Sequence, residues 1–366
     1  MVHDARSPHA DHVTASQPAW AALLPSALEA DGLPGLAPGA VPAFDDPDLE
    51  TSEVLAGAAA LVPLVTRGAL RLTGADRIDF LHGQISHDVR GMQVGQALQA
   101  LLLDHRGRPR GDLVVVRRDD DLYVAIDDAR APIVQRALDA HVIFDQVVIQ
   151  DLSRRLASFV VAGEAALGAL AQILAAETLP TVPGAAMQLP WRGADVLLHA
   201  RPRGLPASLD VHLLREQLED LWQALLAAGA RPRGERALAA ARVAAGLAAA
   251  AAEGEGALPQ ESGLEDRVSY RKGCYLGQEI MARVEARASL RRSLARLSFA
   301  ERPQPPFGAG GREVHDTSGR SVGRVGTVAW LPVLGWAALA VLRSDVEEAA
   351  GVAALGVAGR VAARLA

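Results

Sequence analysis

The strongest candidate for chemistry is Cys274, the only cysteine in the 366-residue sequence. A cysteine thiolate is both a nucleophile and a metal ligand. Lys272 and Arg271 place positive charge beside the sulfur, and that charge favours the thiolate. Gly273 and Gly277 flank the thiol, which predicts a tight turn with close backbone approach. These residue types indicate a reactive cysteine with Lys272 as its activator. The alternative is a small buried apolar residue, which most free cysteines are.

A single cysteine also limits what the chain can do by itself. No intramolecular disulfide can form, which is compatible with a reducing cytoplasm. An iron–sulfur cluster is usually held by several cysteine thiolates. The sequence therefore predicts that this chain alone holds no cluster, and that any work on clusters needs a partner, a second copy or other ligands.

A distinctive run of residues continues past the thiol. Gln278 and Glu279 add hydrogen-bonding and acidic groups just beyond the turn. The defined positions of the run are Lys272, Gly273, Cys274, Tyr275, Gly277, Gln278 and Glu279, with Arg283 downstream. This run resembles the signature motif of the YgfZ family of folate-binding proteins, which are relatives of the glycine-cleavage aminomethyltransferase.

The resemblance implies an aminomethyltransferase-like folate-binding fold of the α+β class. Mixed sheets and helices would be followed by a small C-terminal antiparallel β-barrel. The resemblance also implies non-covalent binding of tetrahydrofolate and a motif cysteine that is important for activity. Members of the family support the assembly or repair of 4Fe–4S cluster enzymes, among them a tRNA-modifying radical enzyme. The expected partners are folate and either iron–sulfur client proteins or the assembly machinery.

Weaker similarities extend the match over about residues 65–345. Segment 80–89 resembles the family's N-terminal helix, although His87 stands where asparagine is usual. Segment 101–108 resembles the strand and turn that follow, and segment 242–246 resembles the helix end before the motif. The folate contacts expected from this match are Gln84, Asp88, Asp112 and Arg242.

The sequence departs from the true aminomethyltransferases where an acidic pair is expected. Gly111 replaces one acid, and Asp112 remains beside Arg108 and Arg110. A carboxylate paired with arginine is a weak base, and Asp112 could equally be a solvent-facing residue at a strand start. Ala244 stands where the transferases carry a glutamate. These departures favour an accessory factor. A folate-dependent one-carbon (aminomethyl) transferase and an interaction module without folate stay open.

Composition excludes several other functions. The net charge of −6 argues against direct nucleic-acid binding, and no apolar run reaches the roughly 18–20 residues of a membrane span. His3, His9 and His12 are too widely spaced for a metal site, and no zinc-type spacing of ligands occurs. The glycine-rich run 308–311 is a poor phosphate loop. The arginine clusters 106–110 and 287–292 could meet a polyglutamate tail or an acidic partner.

Apolar periodicity predicts a three-part organisation. A flexible extension covers residues 1–50, two α/β subdomains cover about 51–152 and 153–290, and a barrel covers 291–366. The main predicted strands are Gly68–Thr73, Ala97–Leu103, Leu113–Val116, Leu122–Ile126, Leu156–Val161 and Val196–Ala200. The main predicted helices are Ala131–Ala140, Glu164–Ala176, Leu213–Ala228 and Glu235–Leu247.

Overall fold

The computed structural model describes residues 23–24, 34, 36–37, 39–127, 130–287, 290–304 and 312–365. Most of the predicted N-terminal extension lies outside these residues. So do three positions that were considered for metal binding, His3, His9 and His12, and the glycine-rich run 308–311. None of the described helices has the length and the apolar character of a transmembrane span.

Helices and strands alternate up to residue 245, and short strands follow. The helices are α1 (Pro47–Leu55), α2 (Arg77–Gln84), α3 (Ala131–Asp139), α4 (Glu164–Ile173), α5 (Leu218–Ala227), α6 (Glu235–Ala245) and α7 (Gln278–Arg287). The strands are β1 (Ala60–Pro63), β2 (Gly68–Thr73), β3 (Ala97–Leu103), β4 (Pro109–Arg117), β5 (Leu122–Ile126), β6 (Val148–Asp151), β7 (Leu156–Ala162), β8 (Ala186–Trp191), β9 (Ala194–His199), β10 (Ser208–Leu214), β11 (Arg231–Pro232), β12 (Arg292–Phe299), β13 (Glu313–Asp316), β14 (Ser321–Leu331), β15 (Gly335–Arg343), β16 (Gly351–Ala354) and β17 (Val357–Leu365).

The first sheet is antiparallel and has five strands in the order β3-β4-β5-β2-β6. Its strands are runs of β-branched and aliphatic residues, which suit a half-buried pleated surface. Helices α2 and α3 cover one face, where Leu70, Val115 and Val124 pack with Leu81 and Val134. Burial of these side chains is the main force that holds the two helices on the sheet.

The second sheet has six strands in the order β11-β1-β7-β10-β9-β8. Only the β1–β11 pairing is parallel, so this sheet is mixed. Helices α4 and α5 pack on one face and α1 and α6 on the other, around residues such as Phe159 and Trp222. Strand β1 precedes the first sheet in sequence but belongs to the second, so the chain crosses between them. The subdomain boundary near residue 152 stays a prediction.

The C-terminal strands form a closed barrel in the order β12-β15-β14-β13-β16-β17. Its interior is filled by small and medium apolar side chains such as Leu297, Val325 and Val361. A separate apolar cluster joins the outside of the barrel to the cysteine motif, with Tyr275 and Leu339 among its members. The α+β class and the C-terminal antiparallel barrel expected from the sequence are thus confirmed.

One helix prediction is wrong at its start. Leu213 and Leu214 end strand β10 rather than opening a helix, and α5 begins only at Leu218 after a single 3₁₀ turn. Strand β10 was missed because Asp210 and His212 interrupt its apolar pattern. Both polar side chains are nevertheless buried, so the strand's polar appearance comes from an interior network.

Candidate functional site

The cysteine motif forms the loop that enters α7, and its thiol faces outward. Cys274 is exposed, so the alternative of a small buried apolar residue is wrong. The next residue, Tyr275, is buried and packs against Met281 and Leu103. The buried tyrosine holds the loop against the protein while the adjacent sulfur stays accessible. This arrangement suits a thiol that meets a partner from solution.

Lys272 is the only lysine in the sequence, and it anchors this loop to the end of α2. Its buried ammonium donates hydrogen bonds to the backbone carbonyls of His82, Ile85 (2.6 Å) and His87 (3.3 Å). It also lies 4.7 Å from the centre of the Tyr275 ring. The last carbonyls of a helix lack intrahelical partners, and three donors on a compact cation suit them better than a planar guanidinium would.

Burial lowers the pKa of Lys272 to about 8, against a smaller raising effect of Asp88. The hydrogen bonds of Lys272 lead to α2 and not to Cys274. The geometry therefore makes Lys272 a positioning residue of the thiol loop. Its role as an activator of the thiol stays a prediction.

The two motif glycines differ in their surroundings. Gly277 has a φ of +84°, and a Cβ there would lie 2.8 Å from the carbonyl oxygen of Asp104. Only glycine fits such a place without strain. At Gly273 a Cβ would meet no atom within 4 Å. The close backbone approach predicted for both positions therefore holds at Gly277 and is wrong at Gly273, which borders open space.

The remaining motif residues begin α7. Gln278 is its first residue, and Glu279 accepts a hydrogen bond at 2.8 Å from Arg283 one turn later. Both charged side chains are mostly exposed, and exposed pairs of this kind add little stability. They leave a polar, solvated helix face beside the thiol.

Gln84 and Asp88 lie next to the Lys272 anchor. Asp88 Oδ1 is 3.1 Å from His82 Nδ1 and accepts a hydrogen bond from the backbone of Gly91. Partial burial raises the pKa of Asp88, but the Gly91 hydrogen bond and the His82 ring outweigh it, so the pKa is lowered overall. Neither Gln84 nor Asp88 belongs to the described lining of the central cavity. Their assignment as folate contacts stays a prediction.

A central cavity of about 410 Å³ lies where the two sheets, α6 and the segment 247–267 meet. Asp112 on β4 and Arg242 on α6 line it, so the structure brings these two predicted residues together. The charged side chains of the described lining are seven arginines and four carboxylates: Arg67, Arg130, Arg201, Arg203, Arg242, Arg267, Arg312, Asp112, Asp127, Glu235 and Asp266. Two of these arginines pair with carboxylates outside the lining, Arg203 with Asp210 and Arg242 with Glu253.

The carboxylates in the cavity wall are held by arginines. Arg201 donates to Asp127 at 2.5 Å, and Arg67 lies 3.7 Å from both Asp127 and Glu235. Burial raises the pKa of Asp127, but Arg201 and Arg67 hold it well below its usual range. Burial also raises the pKa of Glu235, and the nearby Arg67 only partly offsets that rise. The wall is thus a rigid network of buried charges.

Asp112 is buried and faces the cavity, so the solvent-facing alternative is wrong. Its ion-pair partner is Arg267, and not the neighbouring Arg108 or Arg110. The partner comes from a 3₁₀ turn far along the chain, which no local spacing reveals. One carboxylate oxygen, Oδ1, is buried and has no hydrogen-bond partner among the described residues. A ligand that donates a hydrogen bond there would satisfy it.

Arg242 ties the cavity wall to the barrel. Its guanidinium donates to the Leu247 carbonyl at 3.1 Å and to the Thr327 hydroxyl at 3.2 Å. It also lies 3.6 Å from the buried carboxylate of Glu253. Burial lowers the pKa of Arg242, and Glu253 partly restores it. Arg242 therefore organises three parts of the chain around the cavity.

Several cavity residues were missed by the sequence analysis. Arg67, Asp127, Arg201 and Arg203 lie in three separate loops, and Glu235 is the first residue of α6. The one available signal was the Arg-Pro-Arg run at 201–203, which follows directly on an apolar strand. Charged side chains at the end of a buried strand often point into a site.

Known proteins match most of the chain. The family model described as the GCVT N-terminal domain matches residues 49–272. The tRNA-modifying protein YgfZ of Yersinia pestis is 28% identical over 275 residues, covering 73% of this chain and 78% of that protein. A putative chloroplastic transferase of Arabidopsis thaliana is 22% identical over 269 residues. That match covers 73% of this chain and 62% of the relative, less than two thirds of its length.

The fold also matches a solved structure. The glycine cleavage system aminomethyltransferase T from Bartonella henselae aligns with a TM-score of 0.73 and 16% identity, covering 86% of this chain and 87% of that one. The expected aminomethyltransferase-like fold is thereby confirmed. With the family model spanning more than half of the sequence, the chain belongs to the GCVT family and is a YgfZ-type member of that superfamily.

Proposed function

We propose that this protein is a tetrahydrofolate-binding accessory factor for the assembly or repair of 4Fe–4S enzymes, including tRNA-modifying radical enzymes. The observation that carries the proposal is a separation of two sites. An exposed thiol at Cys274 stands on an anchored loop, outside the described lining of an arginine-rich central cavity. The YgfZ relative is named a tRNA-modifying protein, which supports the link to tRNA-modifying clients.

The cavity residues fit a reduced folate. The unpartnered Oδ1 of Asp112 could accept a hydrogen bond from a pterin N–H group. Guanidinium groups of the lining could also bind the glutamate carboxylates of a folate. The volume of about 410 Å³ lies in the range of small-molecule sites. Bound tetrahydrofolate would supply a one-carbon carrier, while the protein's residues bind and orient it.

Cys274 would act at the protein surface. A single thiolate cannot hold a conventional cluster, so the thiol must work together with a client protein or with the assembly machinery. Its exposure makes such an encounter possible, and the Lys272 anchor fixes the loop that presents it. A reducing cytoplasm would keep the thiol available for this work.

One observation favours a folate-dependent aminomethyl transferase as a second candidate. Asp112 lines the cavity with one oxygen unpartnered, where it could act on a bound one-carbon unit. Its other carboxylate oxygen is already held by Arg267, and this places the accessory role first. Incubation with tetrahydrofolate and an aminomethyl donor discriminates the two. Formation of methylenetetrahydrofolate would reverse the ranking.

The maturation role is tested by deletion and rescue. The gene is deleted in its host, and the activity of a 4Fe–4S enzyme is measured after restoring the wild type, Cys274→Ser or Arg271→Ala. We expect rescue by the wild type and by Arg271→Ala, which removes a neighbouring exposed cation, but not by Cys274→Ser. Unchanged enzyme activity after deletion would contradict the maturation role.

A further inference from the structure

Two histidines and an aspartate meet between neighbouring strands, outside the described lining of the central cavity. In the antiparallel pairing of β9 with β10, His199 lies directly opposite Asp210. His212 is two residues further along β10 and therefore on the same face. All three side chains are buried, with His199 fully inaccessible. The sequence conceals this group because its members are joined by strand register and not by a motif.

The three side chains bring their ligand atoms close together. The Nε2 atoms of His199 and His212 are 3.0 Å apart, and Asp210 Oδ2 is 4.0 Å from His199 Nε2. One potential ligand atom from each residue lies within 4.8 Å of the others. Zinc–nitrogen bonds of about 2.0–2.1 Å in a tetrahedral site place two nitrogens about 3.3 Å apart. The two Nε2 atoms are now joined by a hydrogen bond between stacked rings, and a bound metal ion would replace that hydrogen bond and widen their separation.

A hydroxyl group orients one of the two imidazoles. The Ser158 hydroxyl lies 2.7 Å from His212 Nδ1. When Nδ1–H donates to that hydroxyl, Nε2 carries the lone pair, which His199 Nε2 now engages and a metal ion would take instead.

The carboxylate keeps capacity for a metal although it is paired. Arg203 donates from Nε to Asp210 Oδ1 at 2.6 Å and from Nη2 to Oδ2. Each carboxylate oxygen has a second lone pair that a bidentate arginine leaves free. The nearby Arg201 is balanced by Asp127, so the surrounding charges are paired before any ion enters.

A cleft between the two sheets reaches the His212 end of this group. It has a volume of about 410 Å³, and His212 and Tyr123 are among its lining residues. The Tyr123 ring centre is 5.2 Å from that of His212, and its buried hydroxyl has no hydrogen-bond partner among the described residues. The cleft supplies both an entry path and room for a further ligand such as water.

We propose that His199, His212 and Asp210 bind a divalent first-row transition-metal ion such as Zn²⁺, with its remaining coordination position towards the cleft. Two imidazoles and one carboxylate suit such an ion, whereas Mg²⁺ and Ca²⁺ prefer oxygen ligands alone. None of the three residues belongs to the described lining of the central cavity, although Arg203 of that lining pairs with Asp210.

The test is a zinc titration of the full-length protein after metal removal, in competition with a chromophoric chelator. We expect one binding equivalent that His212→Gln and His199→Gln weaken by at least about 100-fold, and that Ser158→Ala weakens by about tenfold. His141→Ala removes an exposed histidine and should leave the affinity unchanged. Each variant keeps Cys274 and every histidine that it does not replace. A difference in zinc affinity between variants therefore reports on the substituted residue.

A spectroscopic measurement on the wild type tests the site even if the histidine variants fail to fold. Cobalt bound to the wild type should show the visible absorption of a four- or five-coordinate site with nitrogen ligands, and Ser158→Ala should alter it. No zinc equivalent in the wild type would overturn the proposal. Equal zinc affinity in His141→Ala and a folded His212→Gln protein would also overturn it, as would a cobalt spectrum typical of hexaaquo cobalt.

Discussion

The central cavity and the Cys274 loop are built in opposite ways. The cavity collects charged side chains from both sheets, α6 and the segment 247–267, and buries them in paired networks. The loop is one continuous segment that buries its anchors, Lys272 and Tyr275, and exposes its reactive atom. The contrast motivates the proposed division of labour, in which the cavity would hold a small ligand and the loop would meet a macromolecule.

Lys272→Met tests most strongly whether Lys272 anchors the Cys274 loop to the end of α2. The change leaves three carbonyls at the end of α2 without their cationic donor. We expect the free energy of unfolding to fall by about 2–4 kcal/mol, as measured by urea denaturation. Arg271→Ala, which removes the adjacent exposed cation, should cost under about 0.5 kcal/mol. Equal effects of the two substitutions would refute the anchoring role.

Gly277→Ala should have the next largest effect. It forces a Cβ into the left-handed backbone at φ +84° and to within 2.8 Å of the Asp104 carbonyl oxygen. We expect a loss of about 1–3 kcal/mol in the free energy of unfolding. The matched control is Gly273→Ala, whose Cβ meets nothing within 4 Å. Thermal denaturation of both variants checks the difference, and a similar loss at Gly273 would show that the turn is described wrongly.

Asp112→Asn probes the cavity side with a smaller effect. The substitution keeps the shape of the side chain but removes its negative charge. That charge pairs with Arg267 and would strengthen a hydrogen bond from a pterin N–H group to Oδ1. We expect tetrahydrofolate to bind about tenfold more weakly, as measured by calorimetry on protein whose folding is verified. Asp266→Asn changes a largely exposed carboxylate of the same lining. It should stay within about twofold of the wild type, and an equal loss there would argue against a specific role for Asp112.

Local pattern was enough to predict much of the architecture. Strands Gly68–Thr73, Ala97–Leu103 and Leu122–Ile126 lie where the apolar pattern places them. These strands have one clear apolar face or run, bounded by turns. Strand β10 escaped because Asp210 and His212 point into a buried network, which tertiary pairing satisfies and the sequence cannot show.

The candidate site also has features that the sequence predicts and features that it does not. The cysteine motif could be read because its residues are contiguous, and the exposure of Cys274 agrees with a reactive thiol. The partner of Lys272 could not be foreseen, since its acceptors are backbone carbonyls far away in sequence. The partner of Asp112 is likewise distant, at Arg267. Long-range ion pairs of this kind become visible only once the chain is folded.

The most direct test of the separation between the two sites is calorimetric titration of tetrahydrofolate into the wild type and into Cys274→Ser. The thiol lies outside the described cavity lining, so the substitution should leave the dissociation constant within about twofold of the wild type. A loss of affinity of about tenfold or more in Cys274→Ser would place the thiol in the folate site. Either that result or an absence of binding to the wild type would contradict the account.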